Sequence, residues 1–310
     1  MHKPNLLVTG GLGNLGSWIV QEAVKTFNVT VLTRSSRDVI IKGDYKLILA
    51  DLADERQLFE KLKGIEFQYV IHAGSVTDGF VDGYMPLSYR VNAFGTRYLL
   101  KALNLDSVEH FIYLSTFQVY GSYEGLISED TKTKPKNDYG MSHLLAEYFL
   151  SMDLPELTYS VIRLTNSYGC PKDLDSSKWY LILNDLSKSA FYTKAIKLGG
   201  NGKSVRDFIW MGDVCSVLLR LLKMSPRNEV YNLARGHTLS IRGIAKKVQS
   251  AYKEYFGVSL PVSYNQSDKS TPDQSLVVCC NKLKGIIDIN YHDKFSEEVI
   301  EIYKLLENKN

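Results

Sequence analysis

The chain has 310 residues, 45% hydrophobic and 23% charged, a composition typical of a globular protein of one large or two modest domains. The formal net charge is only +3 and no long basic block occurs, which argues against nucleic-acid binding but is compatible with a small anionic ligand. The four cysteines lack zinc-site or C-x-x-C spacing, so we predict no metal centre and expect buried, reduced thiols.

Short apolar segments alternate with helical patterns through the first half of the chain. Strands are predicted at 5–10, 29–33, 46–50, 68–74, 110–116 and 159–165, and helices at 14–26, 54–63, 86–105 and 138–152. Runs of Val, Ile and Leu with little alternation are typical of strands buried on both faces of a parallel sheet. The pattern therefore predicts an α/β fold with a doubly wound, Rossmann-like parallel sheet.

The pattern changes after residue 165, where loops lengthen and short strands are predicted at 195–199 and 260–264. We predict a dinucleotide-binding domain over 1–165, rejoined by about 205–235, where a strand at 229–234 returns to the main sheet. A smaller mixed α/β substrate-binding domain is predicted from 166–204 and 236–310. No signal core and no long apolar run is found, so we expect a cytoplasmic protein without membrane association.

A glycine-rich turn joins the first predicted strand to the first helix in "LLVTGGLGNLGSWIV". Glycine permits positive φ and lets the backbone approach a phosphate, while free N–H groups at the helix start can receive pyrophosphate charge. Glycines alone are weak support, since a tight packing turn is the alternative. The strand–turn–helix context favours a dinucleotide site, and we predict contacts from Gly10, Gly13, Asn14, Leu15 and Gly16.

The adenosine end of the cofactor is predicted from the ends of the next two strands. An acidic residue after the second strand would favour NAD(H), but the chain has Thr33, Arg34 and Ser35 there. Guanidinium suits a 2′-phosphate, so NADP(H) is favoured and NAD(H) is the alternative. Arg34 could instead be a solvated charge, or stack on adenine with either cofactor. After the third strand, Asp51 with Leu52 is predicted to contact adenine, to cap the helix at 54, or both.

Further motifs follow the glycine turn in a fixed order: "ADL", "IHAGS", "RVNAFGT", "LSTFQVYG", "YGMSH" and "RLTNSYG". With them, residues of about 5–235 resemble the extended short-chain dehydrogenase/reductase family, in its branch of nucleotide-sugar epimerases, dehydratases and ketoreductases. The resemblance implies a nucleotide-sugar substrate. It also implies a homodimer built on the helices at 86–105 and 138–152.

The resemblance assigns roles position by position. Thr116 matches the residue that hydrogen-bonds the reacting sugar oxygen, Tyr139 matches the general acid/base, and His143 stands where the family has a lysine that holds the nicotinamide ribose. The remaining implied cofactor contacts are His72, Ala73, Gly74, Ser75 and Asn92, the last of these mainly structural. The implied substrate contacts are Thr77, Gln118, Asn166, Arg206 and Trp210.

Histidine at position 143 changes the expected chemistry. A tyrosine four residues away on one helix face needs a cation to act as a base, whereas a neutral phenol can already donate a proton. Histidine, with an ordinary pKa of about 6.5, would be only partly charged at neutral pH. The change therefore favours reduction of a ketone over oxidation of an alcohol.

Two further departures bear on the substrate and the reaction. The tripeptide Thr116-Phe117-Gln118 lacks the carboxylates with which family dehydratases eliminate water, which argues against 4,6-dehydration. The segment 268–275 lacks the family arginine that grips the nucleotide diphosphate, and Lys269 is either a substitute or a solvated loop residue.

These observations lead to one hypothesis and two alternatives. The hypothesis is NADP(H)-dependent reduction of a keto group, at C4, of a nucleotide-linked sugar, with Tyr139 as proton donor and Thr116 polarising the carbonyl. Such an activity typically serves deoxysugar or surface-polysaccharide synthesis. The alternatives are an epimerase that retains its cofactor, and a catalytically silent dinucleotide-binding protein.

Overall fold

The computed structural model describes residues 3–77, 86–153, 157–224, 228–265 and 275–308. In chain order the first part contains β1 (Asn5–Thr9), α1 (Asn14–Ala23), β2 (Asn28–Thr33), β3 (Tyr45–Leu49), α2 (Glu55–Leu62), β4 (Tyr69–His72), a π-helical segment (Tyr89–Phe94), α3 (Gly95–Ala102), β5 (His110–Thr116), β6 (Gly125–Ile127), α4 (Asp138–Asp153) and β7 (Tyr159–Leu164). The second part contains β8 (Asn166–Tyr168), α5 (Ile182–Thr193), β9 (Ile196–Leu198), β10 (Val205–Trp210), α6 (Met211–Leu221), β11 (Glu229–Leu233), β12 (Thr238–Ser240), α7 (Ile241–Phe256), β13 (Val262–Tyr264), β14 (Leu276–Val278), α8 (Asn281–Lys284) and α9 (Phe295–Glu307). Short 3-10 turns lie at Leu105–Ser107 and Phe117–Tyr120.

Seven parallel strands form the main sheet, in the order β11-β7-β5-β4-β1-β2-β3. One face packs against α1 and α6, and the other against α2, α3 and α4, each around its own apolar core. The predicted doubly wound, Rossmann-like α/β fold is therefore confirmed. The strand order reverses between β1 and β4, and in such sheets ligands bind beyond the carboxyl ends of the strands at that point.

Burial follows position in the sheet. All seven residues of the central β5 are buried, as continuous apolar runs in a parallel sheet require. The expectation of burial on both faces is wrong for β3, where Leu47 and Leu49 are 41% and 46% exposed. This strand lies at the sheet edge, so one side has no neighbouring strand.

A second, smaller layer is built mostly from the later part of the chain, with β6 added from the first part. It contains the sheet β12-β10-β8 and the pairs β13-β9 and β14-β6, with α5, α7 and α9 packed around a separate core. Within the expected return segment 205–235, β11 joins the main sheet as predicted and α6 packs on α1, whereas β10 belongs to the small sheet.

Two further observations complete the fold. All four cysteines are unpaired; three are buried, and Cys279 is partly exposed. None of the helices in the described part of the chain is both long and apolar enough to cross a membrane.

Candidate active site

The turn between β1 and α1 is closely packed backbone. Gly10 has φ +64°, and a Cβ there would lie 2.7 Å from the Cα of Gly74 on the neighbouring loop. A Cβ on Gly16 would overlap the carbonyl oxygen of Gly10. Both positions therefore require glycine, one for its conformation and close approach and the other for close helix–strand packing.

The start of α1 is open to a ligand. Gly13 is its N-cap residue, and no side chain in the described residues caps the helix. Asn14 follows, with a buried side-chain oxygen that has no partner among the described residues. Uncapped N–H groups and the positive end of a ten-residue helix fit a dinucleotide pyrophosphate. The amide oxygen of Asn14 is an acceptor and would take a hydroxyl donor rather than a phosphate oxygen.

At the end of β2, Arg34 and Ser35 are both exposed, so they are available to the adenosine ribose. The nearby Arg37 is instead paired with Asp173, at 2.9 Å between the guanidinium and the carboxylate. Arg34 does not take part in this ion pair with Asp173, so of the two arginines it is the one whose guanidinium suits a phosphate.

Asp51 was expected to contact adenine, to cap the helix at 54, or both, and the structure bears on the cap. The helix cap is Asp54, whose carboxylate accepts a bond from the backbone N–H of Gln57, so the prediction of Asp51 as the N-cap is wrong. Asp51 closes a turn by accepting a 2.9 Å bond from the backbone of Ala53. Leu52 is buried and packs against the loop at Gly74, and the adenine contact of Asp51 and Leu52 stays a prediction.

His72, at the end of β4, is buried in the core. Its side chain is 1% exposed, with Nδ1 2.5 Å from the Thr9 hydroxyl and Nε2 2.9 Å from the Thr96 hydroxyl. Burial lowers the pKa of His72 to about 3, so the ring is neutral. The side chain of His72 is thus engaged within the protein, and a contact of the loop His72, Ala73, Gly74 and Ser75 with a cofactor stays a prediction.

Asn92 holds the loop after β4 in place. Its side-chain oxygen accepts from the N–H of Val76 at 2.8 Å, and its amide donates to the Val76 carbonyl and to Ser142. All of its polar atoms are engaged within the protein and it is 1% exposed. These bonds give Asn92 a structural role, and its predicted contact with a cofactor stays a prediction.

Tyr139, on the first turn of α4, meets the end of β5. The side chains of Thr116 and Ser75 lie near its phenol. Exclusion of water by the surrounding protein raises the pKa of Tyr139 to about 12, with a further rise from the nearby Tyr180. The phenol is therefore fully protonated at neutral pH.

His143 lies one turn further along α4, with its ring 4.6 Å from that of Tyr139 between centroids and edge-to-face. It is 2% exposed, and burial lowers its pKa to about 3. The expectation of a partly charged imidazole at neutral pH is thus wrong, because burial disfavours the second proton that would make the ring a cation. Its Nδ1 lies 2.7 Å from the hydroxyl of Tyr113 on β5.

The second ring nitrogen of His143, Nε2, is buried and has no partner among the described residues. Unpaired buried polar atoms are rare in folded proteins and need an explanation. A ribose hydroxyl of a nicotinamide nucleotide would satisfy this atom, so the residues present fit that group.

Two of the predicted substrate contacts line one cavity, and the others lie outside its lining. Asn166 and Arg206 both line a cavity of about 180 Å³, together with Tyr180. Thr77 lies at its mouth, 2.9 Å from the hydroxyl of Tyr180. Gln118 lies in the 3-10 turn at Phe117–Tyr120 and accepts a bond from Asn137 at 2.8 Å.

Trp210 does not line this cavity, and its predicted contact with a substrate stays a prediction. Its indole N–H donates to Glu298 at 2.8 Å, and its ring packs edge-to-face on Trp18 and His292. It joins the core of the main sheet to that of the small layer. Lys269 lies outside the described residues.

Sequence reasoning missed three residues that the fold brings to the site, namely Tyr113, Lys178 and Tyr180. Tyr113 lies inside a buried strand, where an aromatic residue normally signals packing. Lys178 and Tyr180 lie in a loop without periodic pattern. Nothing in their local sequence distinguishes them.

Comparison with known proteins gives one family. The model of the "NAD dependent epimerase/dehydratase family" matches residues 6–234. The chain is 27% identical over 306 residues to the human dTDP-D-glucose 4,6-dehydratase, covering 91% of this chain and 84% of that protein. It is 29% identical over 241 residues to the GDP-6-deoxy-D-talose 4-dehydrogenase of Aggregatibacter actinomycetemcomitans, covering 76% of each.

Solved structures agree with the fold. A variant of the UDP-glucuronic acid 4-epimerase from Bacillus cereus, in complex with a fluorinated UDP-sugar and NAD, superposes with a TM-score of 0.79. The sequence identity is 20%, and the match covers 99% of this chain and 100% of that one.

Proposed function

The chain belongs to the NAD-dependent epimerase/dehydratase family, and from that membership we propose that it reduces a keto group, at C4, of a nucleotide-linked sugar with NADPH. The observation that carries the direction of the reaction is the neutral pair of Tyr139 and His143. With a pKa of about 12, the phenol holds its proton at neutral pH, and only on the order of 10⁻⁴ to 10⁻⁵ of it is phenolate. Donating a proton needs the phenol, whereas abstracting one needs the phenolate.

The side chains of the site divide the work of reduction. The substrate oxygen would lie between the hydroxyls of Thr116 and Tyr139, where Thr116 polarises the carbonyl and Tyr139 protonates the forming alkoxide. Burial raises the pKa of Tyr139, and the hydroxyls of Thr116 and Ser75 lower it, so these two hydroxyls would stabilise the phenolate left behind. The reduced nicotinamide, when bound, supplies the hydride.

The remaining residues bind and orient. The turn at Gly10 and the start of α1 would hold the pyrophosphate, and Nε2 of His143 would hold a ribose hydroxyl. Arg34 and Ser35 would hold the 2′-phosphate that distinguishes NADP(H) from NAD(H). Arg206 and Asn166, which line the same cavity, would face the substrate diphosphate.

Dehydration is disfavoured despite the similarity to a dehydratase. Phe117, directly after the catalytic threonine, is buried among apolar residues, and Gln118 is bonded to Asn137. Neither position offers a carboxylate that could protonate a leaving hydroxyl. An epimerase that retains its cofactor is the second candidate, because the same Tyr139–Thr116 pair serves both reactions.

The test is turnover of 4-keto derivatives of UDP-, dTDP- and GDP-sugars with NADPH or NADH, followed by loss of the reduced-nicotinamide absorbance and by NMR of the product. We expect NADPH consumption that Tyr139→Phe abolishes while dinucleotide binding persists. Isomerisation without loss of absorbance would establish the epimerase instead. Binding of dinucleotide without turnover of any of these sugars would leave only a dinucleotide-binding protein.

The cofactor preference has its own control. Arg34→Asp should reverse a preference for NADPH into one for NADH, because a carboxylate repels a 2′-phosphate and accepts bonds from the ribose hydroxyls. Arg37→Asp changes the same charge at a residue that is paired with Asp173, and it should not reverse the preference.

A further inference from the structure

Tyr113, in the middle of the central strand β5, packs near the rings of two buried histidines. Its ring centroid is 5.5 Å from that of His72 and 5.8 Å from that of His143. Its hydroxyl is 2.7 Å from Nδ1 of His143, and both side chains are 2% exposed. The hydrogen bond is shielded from water, so its direction decides which nitrogen of His143 carries hydrogen.

The neutral ring of His143 carries one hydrogen, on either Nδ1 or Nε2. Burial lowers the pKa of His143 to about 3, so the ring is not doubly protonated at neutral pH. If Nδ1 accepts the hydrogen of Tyr113, the ring hydrogen lies on Nε2, and the opposite direction places it on Nδ1. One hydrogen bond therefore decides whether Nε2 is a donor or an acceptor.

The neighbouring His72 has a full set of partners, which fix the hydrogens around it. The hydroxyl of Thr96 donates its single hydrogen to the carbonyl of Asn92 at 2.6 Å. It can only accept at its 2.9 Å contact with Nε2 of His72, so that nitrogen carries the hydrogen. Nδ1 of His72 then accepts from the hydroxyl of Thr9, which itself accepts from the N–H of Gly74 at 3.0 Å. The hydrogen of Thr96 is thus used within this chain of bonds.

These partners bear on the direction of the bond between Tyr113 and His143. The side chain of Thr96 also lies near the phenol of Tyr113, but it has no hydrogen left to donate to it. An imidazole nitrogen, whose conjugate acid has an ordinary pKa of about 6.5, is a stronger acceptor than a phenol oxygen, and the phenol is the stronger donor. Tyr113 therefore donates to Nδ1, and the ring hydrogen of His143 lies on Nε2.

We propose that Tyr113 is a positioning residue that holds His143 in the Nε2–H form, so that its neutral ring donates a hydrogen bond to the ribose of the nicotinamide nucleotide. Nε2 is buried and has no hydrogen-bond partner in the described part of the chain, so its N–H is available to a ribose oxygen. The inference deepens the proposed function and rests on its cofactor site.

Two other arrangements make different predictions. If Nδ1 carried the hydrogen, the phenol of Tyr113 would donate to Thr96, and Nε2 would accept a hydrogen from the ribose. If the N–H of Nε2 lay over the ring of Tyr139, whose centroid is 4.6 Å from that of His143, it would need no ribose. The first arrangement changes the tautomer, and the second removes the contribution of the ribose to binding.

The tautomer is read by NMR from the full-length protein labelled with ¹⁵N in its histidine rings, without ligand. The chain has six histidines, and His143→Met identifies the resonances of this ring. We expect a protonated Nε2 and an unprotonated Nδ1. In Tyr113→Phe, which removes the donor to Nδ1, the population should shift towards the Nδ1–H form.

The matched control is Tyr120→Phe. Tyr120 is also 2% exposed, and its hydroxyl likewise makes a 2.7 Å bond, to the side-chain oxygen of Asn232. Its removal costs a buried tyrosine hydrogen bond of the same kind but does not involve His143. The tautomer of His143 should therefore be unchanged in Tyr120→Phe.

The ribose contact is measured by calorimetry with ADP and ADP-ribose, which differ by the second ribose, each with and without a 2′-phosphate. We expect the advantage of ADP-ribose over ADP to fall about three- to tenfold in Tyr113→Phe and in His143→Met, as the loss of one hydrogen bond requires. The affinity for ADP should stay the same in both variants, and Tyr120→Phe should alter neither affinity.

A wild-type ring with its hydrogen on Nδ1 would overturn the proposal, and this result needs no variant to fold. An advantage of ADP-ribose that survives in Tyr113→Phe and His143→Met would also overturn it. If neither nucleotide binds the wild-type protein, the proposed cofactor site fails instead. The tautomer would still decide whether Tyr113 sets the ring of His143, so the two failures are distinguishable.

Discussion

Replacing His143 by lysine tests the central argument about direction. Lysine at this position, four residues from Tyr139 on the same helix face, would place an ammonium about 5 Å from the phenolic oxygen. At an effective dielectric constant of about 20, attraction between an ammonium and a phenolate at that distance is about 3 kcal/mol, or about 2 pKa units. The pKa of Tyr139 should therefore fall from about 12 towards 10.

This shift has unequal effects on the two directions of the reaction. The phenolate fraction at neutral pH should rise about 100-fold, and oxidation of the alcohol product should accelerate by up to that factor. Ketone reduction should change by less than about threefold, because the phenol remains protonated at pH 7. Both initial rates are measured from the reduced-nicotinamide absorbance, at saturating cofactor and across pH 6 to 9.

The control is His143→Met, which also replaces the imidazole by a long unbranched chain but carries no charge. Stability must be followed in parallel, since an ammonium in a site that is 2% exposed is costly to desolvate. If the ratio of oxidation to reduction is the same in the lysine and methionine variants, the charge argument is refuted.

Three further predictions concern cofactor binding and stability. Tyr113→Phe leaves Nδ1 of His143 without its 2.7 Å partner. We expect the free energy of unfolding in urea to fall by about 1–3 kcal/mol and dinucleotide binding to weaken several-fold. Unaltered values would contradict the assigned contact. Gly16→Ala should weaken dinucleotide binding, measured by calorimetry, more than tenfold, because the new Cβ overlaps the carbonyl oxygen of Gly10. The control is Gly285→Ala, whose Cβ has no neighbour nearer than 3.4 Å, and binding should persist. Burial lowers the pKa of His72 and of His143 to about 3, whereas in the unfolded chain each has a pKa of about 6.5. The unfolded chain therefore binds more protons below pH 6.5, and the free energy of unfolding decreases progressively as the pH falls below that value. Between pH 7 and pH 5 the loss should be about 4 kcal/mol for the two residues together, and a flat urea midpoint over that range would exclude their burial as neutral rings.

Much of the fold could be predicted from local sequence pattern. Continuous apolar runs predicted a parallel sheet, and the strand–glycine–helix order predicted the turn at Gly10 and the uncapped start of α1. These features depend on residues close together in the chain, where a period of two or 3.6 residues decides which side chains share a face. The same four-residue spacing correctly paired Tyr139 with His143 on α4.

What the sequence determined by itself was therefore the order of the elements and the type of residue at each position of the site. The tertiary structure decided the state of those residues. His143 is neutral because strand β5 and helix α4 bury it against Tyr113, thirty residues away in the chain, and His72 turns into the core towards Thr9 and Thr96. Lys178 approaches the site only because a loop of the small layer crosses to Thr77. A pKa and a contact are set by whatever surrounds a group in space, and packing between distant segments fixes that environment.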